Sequence, residues 1–100
     1  MEYTNKFETK QAITELSFAD NEYAIEYIAT SPIDGIVDNV NAYISKKVDG
    51  SKVTVGYATY ADSVVSVRFT SSEATISVID QEALSSQFYK DLQSLIEGSN

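Results

Sequence analysis

The chain has 100 residues, a formal net charge of -8, and neither histidine nor cysteine. Those absences exclude a disulfide framework, a zinc-thiolate site, a thiol nucleophile and a histidine base for a serine nucleophile. Hydrophobic content is 43%, enough for one core, so the sequence predicts a single folded domain over residues 1–100.

Residues 1–8 read as an arm or a partial helix. The start, Met1-Glu2-Tyr3-Thr4-Asn5-Lys6, has no basic segment leading into an apolar run. It predicts no signal peptide, and with the lack of cysteine it points to the cytoplasm. No apolar stretch approaches the ~20 residues of a membrane span.

Residues 12–29 are predicted to form a hairpin around Asp20-Asn21, residue types that tolerate the positive φ of a tight turn. The expected register pairs Phe18 with Tyr23, Leu16 with Ile25, and Thr14 with Tyr27 on the apolar face. It sets Glu15 directly across from Glu26 on the other face. A competing pattern is a short helix over residues 6–16, with Asn5 as cap and Glu8 as its capping-box partner.

A helix is predicted over residues 32–48. Ile33, Ile36, Val37, Val40, Tyr43 and Ile44 follow the i, i+3, i+4, i+7 spacing of one buried stripe. Ser31 reads as its cap, Pro32 as its first residue, Lys46-Lys47 as its dipole partners and Gly50 as its stop. Three strands follow. The alternation of Val65, Val67 and Phe69 pairs them with Thr59, Tyr57 and Val55 on one side and with Val78, Ile76 and Ala74 on the other. A last helix is predicted over residues 81–97, capped by Asp80, with Leu84, Phe88, Leu92, Leu95 and Ile96 as its stripe. Residues 98–100 read as a frayed tail.

The fold expected is therefore α+β. It is a single antiparallel sheet of about five strands in the order β-β-α-β-β-β-α, with two helices packed on one face. That element order also occurs in roadblock/profilin-like domains and type III secretion chaperones, an analogy of fold alone.

The candidate sites are surfaces. Glu15 and Glu26, opposed across the hairpin, form a carboxylate pair that awaits a cation, a basic partner or an acid role. The outer sheet face is expected to be flat, with Gly56, Ala58 and Ser66 around Arg68 and an apolar patch of Tyr60, Val64 and Ile79, suited to a protein contact or a two-fold dimer. The acidic surface is the third candidate. Asp34 and Asp38 stand one turn apart on the predicted helix, and Asp20, Glu22 and Glu26 gather near the hairpin. Such rows imitate nucleic-acid phosphates, and in charge and size the chain is similar to small acidic inhibitors of phages and mobile elements. Tyr23, Tyr27, Tyr43 and Tyr57 fall on predicted core stripes.

The charge disfavours direct contact with nucleic acid or an anionic membrane and favours a protein partner with a basic surface. No glycine-rich phosphate loop or EF-hand spacing is present, and no cofactor or metal is assigned. The expected function is non-enzymatic docking on another protein, as an inhibitor or nucleic-acid mimic. The alternatives are a self-associating, adaptor or secretion-chaperone-like protein using the outer sheet face, and a small carboxylate-dependent enzyme.

Overall fold

The computed structural model of the chain describes residues 7–18, 21–32, 35–70 and 72–97. Five strands follow one another: β1 (Phe7–Phe18), β2 (Asn21–Pro32), β3 (Asn39–Val48), β4 (Ser51–Ala61) and β5 (Val64–Phe69). One helix, α1 (Val78–Glu97), comes after them. The strands lie in one sheet in chain order, every neighbouring pair antiparallel. This is an up-and-down meander with one helix laid over it. The overall extents of 53 × 23 × 19 Å fit long strands, a width of five, and one helical layer.

The predicted order β-β-α-β-β-β-α, with two helices on the sheet, is corrected by this topology. Residues 39–48 form β3, not part of a helix. The pattern that misled is shared: Val40 and Ile44 are four apart, as on a helix, but Val40, Ala42 and Ile44 also alternate with exposed Asn41 and Tyr43. Pairing on both sides, with β2 and with β4, settles the choice. Gly50 does not stop a helix. Asp49 (φ 51°) and Gly50 (φ 83°) make a two-residue hairpin turn that sets Val48 opposite Ser51.

The strand expected over residues 73–79 is absent. Residues 74–77 run irregularly beneath the sheet, with Ala74 and Ile76 packed on the core. The Lys46 ammonium donates to the Thr75 carbonyl at 2.8 Å, and the Gln81 amide side chain to the Ile76 carbonyl at 3.1 Å. The cap of α1 is Ser77, not Asp80. Its Oγ accepts from the Asp80 amide at 3.1 Å, and its carbonyl from the Gln81 amide at 2.9 Å. Leu84, Phe88 and Leu92 are buried, with Leu95 and Ile96 packed partly behind them.

The N-terminal hairpin forms and the competing helix over residues 6–16 does not, because β1 occupies residues 7–18. Its register differs from the expected one by two residues. Leu16 faces Tyr23, Thr14 faces Ile25, and Phe18 faces Asn21. A shift of two keeps every side chain on its predicted face, so the hydrophobic pattern alone does not separate the registers. The expectations for residues 1–6 and 98–100, and the side chains of residues 7 and 8, lie outside the described residues.

The β4–β5 register differs by one, which is more consequential. Tyr57 faces Arg68, Ala58 faces Val67, and Gly56 faces Phe69. A two-residue turn, Asp62-Ser63, sets Ala61 opposite Val64 and fixes this register, and a β-bulge on the β3 side of β4 brings the inward residues of β4 into line with it. Ile44 pairs with Gly56 while Ser45 pairs with Thr54, so Val55 has no partner on β3. Val53 and Val55 point inward before the bulge; Gly56, Ala58 and Tyr60 point inward after it. Gly56, Ala58 and Tyr60 therefore leave the outer face where they were expected.

The core lies between α1 and the inner face. Ile25, Val40, Ile44, Val55, Leu84 and Phe88 are completely buried. Two tyrosines of β2 fix the helix over this face. The Tyr23 hydroxyl donates to Asp80 Oδ2 at 2.6 Å, and the Tyr27 hydroxyl to Asp91 Oδ2 at 2.5 Å. Asn21 adds a donor to Asp80 at 3.4 Å; Thr14 and Gln87 add donors to Asp91, each at 2.8 Å. Burial, then the hydrogen bond to aspartate, then the aspartate charge all raise the pKa of both hydroxyls above the ordinary tyrosine value.

Candidate functional site

With the inner face filled by α1, the surface left open on the sheet is its outer face, which no described element covers. The alternation of each strand decides what stands there. One row crosses the whole sheet: Ile13 on β1, Glu26 on β2, Tyr43 on β3, Tyr57 on β4 and Arg68 on β5, each the register partner of the next. All five side chains are exposed; Tyr43 is 43% and Tyr57 47% accessible. Their rings meet edge to face, with centroids 5.7 Å apart. Such a pair is worth about 0.5–1.5 kcal/mol beyond its area. The adjacent row, Ile28, Asn41, Thr59 and Ser66, is low and mixed.

The tyrosine pair is the feature that periodicity misplaced. Periodicity puts Tyr43 on the buried stripe of a helix that does not form, and Tyr57 on the apolar face of the sheet, whereas both stand exposed on the outer face. Tyr23 and Tyr27 are buried as expected. The available signal was Asp49-Gly50 between two apolar-alternating runs, which announces a hairpin and turns Tyr43 outward.

Charge on this face is balanced. Lys47 lies 3.9 Å from Glu22, and Lys52 3.8 Å from Glu26. All four side chains are more than half exposed, so solvent screens these pairs and they contribute little. Arg68 has no carboxylate within ion-pair distance among the described residues. From β2 to β5 the face thus carries Glu22 and Glu26 against Lys47, Lys52 and Arg68, although the chain as a whole is at -8. Two shallow hollows flank the row on the β1–β3 side. One of about 520 Å³ lies between Ile13, Glu26, Ile28 and Tyr43, and one of about 500 Å³ between Glu15, Glu22, Lys47 and Lys52 over small Ala24 and Ser45.

The other sequence-derived candidates disperse. Glu15 faces Ala24 and Glu26 faces Ile13, so the two carboxylates are diagonal, not opposed, and Glu26 has Lys52 instead. Asp38 sits in the connector before β3, where its amide donates to the Thr30 carbonyl at 3.2 Å; Asp34 and Asp20 lie outside the described residues. Asp38 does not stand on a helix, since residues 36–38 are irregular and residues 39–48 are strand. The apolar patch of Tyr60, Val64 and Ile79 is not assembled. Tyr60 faces inward, Val64 stands exposed at the start of β5, and Ile79 is exposed at the start of α1. Val64, Ser66 and Arg68 stand where that reading put them, on the outer face of β5, but without Tyr60 and Ile79 beside them.

No protein-family model, no curated protein and no solved structure matches the chain. Among the described residues no helix is long and apolar enough to cross a membrane.

Proposed function

We propose that this chain is a non-enzymatic protein-docking module that works through the outer face of its sheet. The observation that carries the reading is the row Glu26–Tyr43–Tyr57–Arg68. Two exposed aromatics in contact, bracketed by opposite charges and surrounded by low side chains, make an anchor that a partner surface can enclose. Tyrosine and arginine are the residue types that concentrate binding energy at protein contacts.

The test is differential capture from the native host. Tagged wild-type chain is compared with a Tyr43→Ser/Tyr57→Ser double variant and with a Val78→Ser/Ile79→Ser variant, which removes the apolar pair at the start of α1. The outer-face variant should lose the captured protein and the helix variant should keep it. Equal capture by all three would refute the outer face as the docking surface.

A further inference from the structure

The row across the sheet is complementary to itself. Read from β2 to β5 it runs carboxylate, tyrosine, tyrosine, guanidinium. A two-fold axis parallel to the strands, lying in the interface between β3 and β4, turns one outer face onto another. It sets Glu26 of one copy against Arg68 of the other, Tyr43 against Tyr57, and the same two contacts again by symmetry. We propose that the occupant of this face is a second copy of the chain, stacked sheet on sheet in this register. The proposal rests on the reading of the outer face as the docking surface.

Two observations select this occupant. The two-fold perpendicular to the strands would place Glu26 against Glu26 and Arg68 against Arg68, so the charges choose between the two symmetries. The face from β2 to β5 is nearly neutral while the chain is strongly acidic, so this is the part of the surface that a second acidic copy approaches without repulsion. The area is that of a weak, concentration-dependent dimer: four strands spaced ~4.8 Å apart, over the ~20 Å length of β5, project about 400 Å² on each copy, roughly half the ~800 Å² per partner of a standard interface. Sheets stacked in this way pack about 10 Å apart with strands nearly aligned, and the low rows of Ala24, Ser45 and Thr54 and of Asn41, Thr59 and Ser66 permit that approach. One contact opposes the pairing: Lys47 and Lys52 meet across the same axis, two rows toward the Asp49-Gly50 turn, at the wet rim.

Sedimentation equilibrium from micromolar to millimolar concentration tests this with exposed-residue variants whose fold is checked by circular dichroism. Wild type should dimerise. Glu26→Arg and Arg68→Glu should each weaken the dimer on the order of tenfold or more, and the combined swap should restore most of it. Lys52→Gln, by removing the rim repulsion, should tighten it. A wild-type chain monomeric at millimolar concentration overturns the proposal, and so does a dimer indifferent to both charge reversals. Either result leaves the docking reading standing if Tyr43→Ser/Tyr57→Ser still abolishes capture of a different protein. If capture too is indifferent to that variant, both readings fall together.

Discussion

Tyr23 and Tyr27 stand four residues apart on β2, and each ends on a carboxylate of α1. Their partners differ in reserve. Asp80 is 8% exposed and, among the described residues, has only Asn21, at 3.4 Å, as a further side-chain donor; Asp91 keeps Thr14 and Gln87 at 2.8 Å. Tyr23→Phe should therefore cost more than Tyr27→Phe, about 2 kcal/mol against about 1, in urea unfolding at neutral pH. Equal losses would contradict the asymmetry. Both tyrosine pKa values are raised in the fold, so their contribution is complete below the ordinary tyrosine pKa of about 10 and is lost as pH rises above it. Each hydroxyl should add about 1.4 kcal/mol of lost stability per pH unit above that point. The double phenylalanine variant should show a shallower alkaline decline than wild type. That these two tyrosines are core residues was readable from alternation along β2. Their aspartate partners were not, because Asp80 and Asp91 lie 57 and 64 residues away in the chain and nothing local marks them.

Among the elements, α1 was legible because its pattern is unambiguous, and the N-terminal hairpin was legible in outline, although a helix over residues 6–16 competed with it and its register was off by two. Leu84, Phe88 and Leu92 fit only a helix, and the alternation from Leu16 to Tyr27 fits a hairpin. β3 was not, since Val40 and Ile44 serve both periods and the deciding fact is non-local pairing. The bulge at Val55 was not either, since one inserted residue reverses the meaning of every alternating residue beyond it. Gly56, beside it, marks the place: a Cβ there would lie 2.9 Å from the Arg68 carbonyl oxygen and 3.0 Å from the Phe69 ring. Gly56→Ala should destabilise by about 1–3 kcal/mol, since a backbone atom has to move. A neutral result in thermal unfolding would argue against the bulged register. The β4–β5 turn makes the opposite prediction. Asp62 (φ 52°) and Ser63 (φ 65°) both hold the left-handed conformation. Ser63→Gly should stabilise by about 0.5–1 kcal/mol, read as a rise in the urea midpoint with unchanged slope.

At the scale of the whole molecule, a meander with one helix has one filled face and one unfilled face. Among the described residues the net negative charge is carried mostly away from the unfilled one. The sequence carried the acidity but not its distribution, which depends on Lys47 and Lys52 coming to Glu22 and Glu26 across strand pairs. The most direct test of the account is the rate of chemical modification at each tyrosine, mapped by mass spectrometry in dilute and in concentrated protein. In dilute protein Tyr43, Tyr57 and Tyr89, which are 43%, 47% and 50% exposed, should react while Tyr23 and Tyr27 do not. On concentration Tyr43 and Tyr57 should become protected and Tyr89 should not. Reaction at Tyr23 or Tyr27 in the native dilute protein, or a Tyr43 and Tyr57 that stay as reactive as Tyr89 at every concentration and with every captured partner, would contradict it.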